Sequence, residues 1–426
     1  MQTAAELTLP HLTLEDPAFA VDPMPYIEAA RREHPWLAKC NFGYVVHEYQ
    51  AIRDLSYMDD KLRPSMDTIT EIMGAKGTPW GEFMDSLMLA KTGPEHARIR
   101  SSVEASFTPR NISRYRSLMR DRVSQLLDEW APKGAFEFAE FAAYFPISVM
   151  FGLIGASPAA LPSIRKSLET QGLSANLIRS LLPELESAYQ VLWSFVHNLI
   201  VERQRDGGGD EEDVLNTLVA ARAAGQLDEA ELHNLTIFLF AAGYDTSKNM
   251  LTLIMHMMLK HPQYWARCAE DRPFCDQVVR EMLRHTSVSS LYRMTTQDLL
   301  YRDVLFPSNT LLFMPLNISG RDPTAFPDAM EFRPERPDSN RHMAFGRGVH
   351  TCLGQHLARA QIQEGIHLIA QRITKPRLAG EVTWRPFPGV WGIRSLPIAF
   401  APGRRRSETE LPEGSEGEAK VCPFAH

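Results

Sequence analysis

The chain is short of cysteine, and the little it has is unpaired. Five cysteines stand at positions 40, 268, 275, 352 and 422, an odd number with no CxxC or similar spacing. That excludes a disulfide scaffold and a cysteine-based zinc site, and it suits a reducing compartment such as the cytoplasm. A basic excess is also missing. Lys and Arg number 45 against 52 Asp and Glu, a formal net charge of −7, which argues against a nucleic-acid partner. No long apolar run occurs. The first thirty residues carry acids and prolines instead, so neither a signal peptide nor a membrane anchor is expected. Linker-like breaks are absent between residues 20 and 400. The length alone would allow about two or three domains, but the lack of a break predicts a single domain over residues 1–401. Only the end departs from this pattern. Arg404-Arg405-Arg406 leads into an acidic Gly/Ser/Glu stretch that ends in Cys422-Pro423, so residues 402–426 read as a disordered charged tail.

What is present is a chain 44% hydrophobic, able to bury a large core. Its most informative stretch is Phe345-Gly346-Arg347-Gly348-Val349-His350-Thr351-Cys352-Leu353-Gly354. Gly346 and Gly348 allow turns that residues with a β-carbon resist. Residues from Gln355 onward have helical composition. Cys352 therefore sits on a Gly-rich loop entering a helix, where backbone N–H groups favour a thiolate. A thiolate with close backbone approach suits a large, flat, metal-centred cofactor. The bland alternative for a lone cysteine is a small buried hydrophobe.

A second informative stretch begins at Asp228, with Glu231 three residues on as a capping box. The helical pattern runs to about Lys260, before Pro262. Its middle, 235–242, is apolar nearly all round and should cross the interior. Gly243 costs helix stability there, and Asp245 is expensive to bury unpaired. Phe238, Ala241, Ala242 and Asp245 recur at helical spacing, so one face would line a cavity. Residues 60–90 mix Pro64, Gly74, Gly77, Pro79 and Gly81 with many apolar side chains. They read as an irregular segment, either a loop over a cavity or ordinary packing. Its methionines would suit an adaptable apolar surface. Residues 111–205 read as successive amphipathic helices, and Gly207-Gly208-Gly209 as a flexible surface loop.

The cysteine stretch resembles the haem-binding signature of the cytochrome P450 superfamily, Phe-Gly-x-Gly-x-His-x-Cys-x-Gly. All six fixed positions match: Phe345, Gly346, Gly348, His350, Cys352 and Gly354. The resemblance implies that Cys352 is the axial thiolate of haem b, pushing electron density that favours O–O cleavage. It covers residues 20–400 and extends to four further motifs in family order. Gly243, Asp245 and Thr246 match the oxygen-binding motif. Gly243 would let the helix open, Thr246 would hydrogen-bond oxygen, and Asp245 would relay protons. His96 and Arg100 match the helix that binds haem propionates, and Arg293 matches a third propionate contact. Glu281, Arg284 and Arg336 match a buried structural network. The segment from Asn317 to Asp328 matches the family's Asn-Arg-Asp-Pro element, with insertions.

The fold implied is mainly α with a small β region, a triangular helical prism. Haem would lie between the long central helix and the helix after the cysteine loop. The activity implied is monooxygenation of a small hydrophobic substrate by O2. Electrons would come from a separate ferredoxin-like or flavodoxin-like donor with its NAD(P)H reductase. The enzyme would be a monomer. Val288, Ser289, Leu291 and Val390 join Phe238, Ala241 and Ala242 as expected substrate contacts. Arg179 or Arg394 could supply a carboxylate partner. A peroxide-driven haem enzyme and a non-catalytic haem-thiolate sensor are the rival readings. The first usually lacks the Asp245–Thr246 pair, and nothing in the chain resembles a signalling output domain.

Overall fold

The structure, a computed structural model, describes residues 2–205 and 213–403. The glycine triplet at 207–209 and the tail from Arg404 onward, with Cys422, lie outside the described residues. Helices dominate and four small sheets flank them. The long helix runs from Glu229 to Lys260 as its cap predicts. The Asp228 carboxylate accepts from the Glu231 N–H at 2.7 Å, and the Glu231 carboxylate accepts from the Asp228 N–H at 2.9 Å. Both orphan donors at the helix start are thereby satisfied. The helix packs most extensively on Phe138–Ile154, itself apolar almost all round. At Gly243 the two helices approach closely. A Cβ there would lie 2.3 Å from Sδ of Met150. The helix continues unbroken through Gly243, and the glycine makes room for its neighbour Met150.

Residues 60–90 are more regular than their composition suggests. A short strand, Leu62–Pro64, leads into helices Met66–Met73 and Pro79–Ser86 and a 3-10 turn, Met88–Ala90. Gly74 ends the first helix at φ 71°, the left-handed conformation a C-cap needs. Thr78 caps the second and Pro79 fills its first turn. The glycine and proline that read as breaks are helix punctuation.

The five-stranded sheet runs in the order Leu37–Cys40, Gly43–Val46, Leu311–Met314, Leu291–Thr295, Leu62–Pro64. Only the second pair in that order is parallel. Later, Thr383–Trp384 pairs with Ile393–Ser395. The turn between them swings inward at Gly389, φ 89°. There Val390 bridges Ser289, and the Trp391 N–H donates to Val288 O at 2.8 Å. Two segments a hundred residues apart thus form one wall. The last strand, Pro397–Pro402, reaches one residue past the expected domain end.

Glu281, Arg284 and Arg336 form a closed network. Arg284 donates through Nε and Nη2 to the Glu281 carboxylate at 2.9 and 2.7 Å. Arg336 Nε donates to Oε1 of Glu281 at 3.4 Å. The Arg284 and Glu281 side chains are wholly buried. Among the described residues no helix is long and apolar enough to cross a membrane.

Candidate active site

A cavity lies between the long helix and the helix Gln355–Arg372 that follows the cysteine loop. The loop's geometry follows from its glycines. Gly346 and Gly348 adopt φ 68° and 74°, and the Cys352 N–H turns back to donate to Phe345 O at 2.8 Å. A Cβ at Gly348 would lie 2.7 Å from Ser56 O, whereas the space beside Gly354 is open. Cys352 is exposed, yet it lines this cavity. That cavity is enclosed by protein, whose desolvation pushes the thiol above the ordinary range, and the Gly354 N–H and Arg100 offset this only in part. The loop's backbone donor at Gly354 favours the thiolate, as expected, and desolvation opposes it. Desolvation outweighs a single backbone donor. A metal cation would reverse the balance, because a coordinating thiol is deprotonated.

One side of the cavity is rich in basic groups and poor in acids. His96 is buried on the helix Gly93–Ser101, and its ring centroid is 4.3 Å from that of His350. His350 is held down to about 3 by burial first, then by Arg293, His96 and Arg100. Burial lowers Arg293 to about 10. Its Nη1 donates to Tyr292 O at 3.1 Å, and no acid pairs with it among the described residues. Arg100 reaches only the exposed Glu104, at 3.6 Å. Two arginines without a buried counter-carboxylate, with two imidazoles beside them able to donate, are suited to an anionic ligand. The carboxylates of haem above an exposed thiol fit that donor set.

The opposite wall is apolar. Ala242 is exposed in the middle of the long helix because it faces the cavity. Phe238, Ala241, Val288, Ser289, Leu291 and Val390 line the same space, so the structure brings all the expected substrate contacts together. Arg179 and Arg394 are both exposed and line no part of it. The expectation that either could hold a substrate carboxylate is corrected.

Thr246 lines the cavity, and its hydroxyl donates to Ala242 O at 3.0 Å. Its oxygen lone pairs are left to accept from a donor in the cavity. Asp245 is buried and is not free. Arg385 Nη1 donates to its two oxygens at 2.6 and 2.9 Å, and Asn249 Nδ2 donates to Oδ1 at 3.2 Å. Arg385 Nη2 also donates to Gly172 O at 2.6 Å, at the end of the helix Leu161–Gln171. Arg385 is the residue that sequence reasoning missed. It lies 140 positions from its partner, and no local spacing links them.

The comparisons with known proteins agree with this geometry. The Cytochrome P450 family profile matches residues 165–374. Luteothin monooxygenase of Streptomyces thioluteus is 31% identical over 397 residues, covering 92% of this chain and 96% of that protein. The chain belongs to the cytochrome P450 family. Cytochrome P450 monooxygenase PikC of Streptomyces venezuelae is 29% identical over 74% of this chain and 76% of its own length. Epothilone B-bound cytochrome P450epoK superposes with a TM-score of 0.84 at 23% identity, covering 92% of this chain and all of that one. The fold is thus the P450 fold, and the protein is an enzyme of the P450 monooxygenase class. Membership implies haem with a cysteine thiolate ligand, and bacterial P450 relatives normally use a redox partner.

Proposed function

We propose that this P450 hydroxylates, or similarly oxidises, a C–H bond of a hydrophobic organic substrate. In this reading Cys352 would supply the thiolate that holds the iron of haem b. His96, Arg100, Arg293 and His350 hold its propionate side, and Phe345, Gly346 and Gly354 let the ring approach the loop. The observation that carries the reading is one cavity with an exposed thiol, two arginines without a buried counter-carboxylate beside two imidazoles, and an apolar wall. The bound haem supplies oxygen activation and transfer of one oxygen atom from O2 to substrate. The chain supplies the rest. The apolar wall orients the substrate and excludes water. Thr246 offers a hydroxyl to the cavity, and Asp245, next to it in the chain, places a buried carboxylate at the same wall. Proton delivery through Asp245 requires it to exchange Arg385 for another partner.

Electrons would come from a separate ferredoxin-like or flavodoxin-like protein with its NAD(P)H reductase. The setting is a cytoplasmic, monomeric enzyme with one P450 domain over residues 1–401. Product formation that requires both O2 and the reductase separates this reading from a peroxide-driven enzyme and from a sensor.

The first test is the absorption spectrum of the purified protein, reduced and exposed to carbon monoxide. A strongly red-shifted Soret band is expected, and Cys352→Ala should abolish it. Haem with an unshifted band in the unmutated protein would mean that Cys352 is not the thiolate ligand. No haem under adequate haem supply would overturn the reading.

A further inference from the structure

Sulfur is concentrated on the substrate side of the cavity. Met66, Met84 and Met88 come from the helices and turn of residues 66–90, Met150 from the helix Phe138–Ile154, and Met250 from the long helix. All are buried, with relative exposures from 1% to 9%. Five of the chain's 18 methionines thus line one cavity. Phe83, Phe107 and Phe238 line it beside them. Leucine would bury as much apolar surface and hold its shape better. A thioether differs in being polarisable, adaptable, and favourable against aromatic rings.

Charge on this wall is fully committed. His96, Arg100, Arg293 and His350 belong to the propionate side. Arg347 donates to His342 O at 2.7 Å. Asp245 is closed by Arg385. Gln171 is also committed, accepting from Trp80 Nε1 at 3.0 Å and donating to Leu185 O at 2.9 Å. The other polar side chains lining the cavity, among them Thr246, Ser174, Ser287, Ser289, Ser290 and Gln361, are neutral. A carboxylate or an ammonium placed here would be buried without a partner, which is costly.

We infer that the substrate is a neutral, flat, unsaturated molecule, aromatic or polyene, held by the methionine wall. The inference rests on the reading that this cavity is the substrate space of a haem-thiolate enzyme. It excludes fatty acids, other carboxylates and amines as the preferred class. It also ranks unsaturated rings above saturated rings of the same size, against the order that hydrophobicity alone would give.

The test uses the holoenzyme. The carbon monoxide spectrum comes first, because an unshifted Soret band defeats the haem reading and the inference with it. Three probes of one framework are then titrated: chalcone, its fully saturated analogue 1,3-dicyclohexylpropan-1-one, and 4-carboxychalcone. Binding is read from the spin-state shift, or by equilibrium dialysis where no shift develops. Chalcone is expected to bind about tenfold tighter than either other probe. In the double variant Met84→Leu/Met88→Leu, chalcone should weaken about fivefold while the saturated analogue changes less than about twofold. Tighter or equal binding of the saturated analogue or the carboxylate would overturn the inference. So would no binding of chalcone by a protein with the shifted band, or equal weakening of both neutral probes in the double variant.

Discussion

Two of the buried ion pairs among the described residues, Glu281–Arg284 and Asp245–Arg385, are built differently. The Glu281–Arg284 pair is complete. All five Arg284 donors are used: three go to Gly320 O, Ala329 O and Glu331 O at 2.6, 2.8 and 2.9 Å, and two go to Glu281. Gly320 has no alternative, since a Cβ there would sit 2.0 Å from Arg284 O. The Asp245–Arg385 pair is incomplete. Arg385 Nε and Asn249 Oδ1 are buried without partners. One side of the pair adjoins the cavity, and the other rests on Gly172, where a Cβ would lie 2.4 Å from the carboxylate. A buried charge with every donor satisfied is scaffold. A buried charge with donors left over, at the edge of a reaction space, is able to change partners at lower cost.

The largest effect should come from breaking the complete pair. Arg284→Ala removes the closer of Glu281's two cationic partners and leaves only Arg336, at 3.4 Å, beside the buried carboxylate, a cost of about 3–5 kcal/mol. Chemical unfolding should show that loss, with little protein retaining haem. A cost below about 1 kcal/mol would mean that the network is not scaffold. Breaking the incomplete pair should do less to stability and more to chemistry. Arg385→Ala is expected to cost about 1–3 kcal/mol, because water from the cavity can reach Asp245. The shifted Soret band should survive while product formed per electron consumed changes. Arg385→Lys keeps the charge but not the fork that spans Asp245 and Gly172, so it should restore stability better than coupling. If both Arg385 variants match the parent in coupling, the pair is scaffold as well. Smaller still in stability is Thr246→Ala, within about 1 kcal/mol because the hydroxyl bonds only its own helix. Haem should be retained and electron use uncoupled from product, read as hydrogen peroxide released. Full coupling in that variant would remove Thr246 from the proton path.

The same contrast explains what could be read in the sequence. The cysteine loop was legible because its function needs a fixed local backbone, and local constraint leaves a compact pattern of glycines around Cys352. The long helix was legible for a similar reason: its cap, its apolar middle and its proline stop are all within the segment. Glu281 and Arg284 lie three apart on one helix, so half of the complete network is local too. Arg385 could not be found this way, because its partner is set by how the 383–395 turn packs. Gly74 and Pro79 misled because a helix end and a loop use the same residues. The desolvation that opposes the Cys352 thiolate was not legible, because burial is a property of the assembled fold. Met150 opposite Gly243 is another tertiary fact that no spacing reveals.

The last effect is spread over groups outside both ion pairs, and it sets the pH at which they can be compared. His47 and His256 are held down to about 4 and His342 to about 3, in each case chiefly by burial, with neighbouring Arg or Lys charges adding to it. The unfolded chain takes up these protons near pH 6.5. The folded chain does not until the pH is far lower, so acid favours unfolding. Their contribution is fully present above about pH 6.5 and is lost as pH falls toward 4, at roughly 1–2 kcal/mol per histidine by pH 5. Unfolding midpoints of the parent should therefore be flat from pH 7 to 8 and fall steadily below 6.5. His256→Gln should lessen the drop between pH 8 and pH 5 by about one histidine's share. Its ring only makes an edge contact with Trp384, centroids 5.5 Å apart, so the cost at pH 8 should be small. An unchanged drop in that variant would place the acid-sensitive groups elsewhere. The difference between Arg284→Ala and Arg385→Ala then has to be read above pH 6.5, where this background does not move.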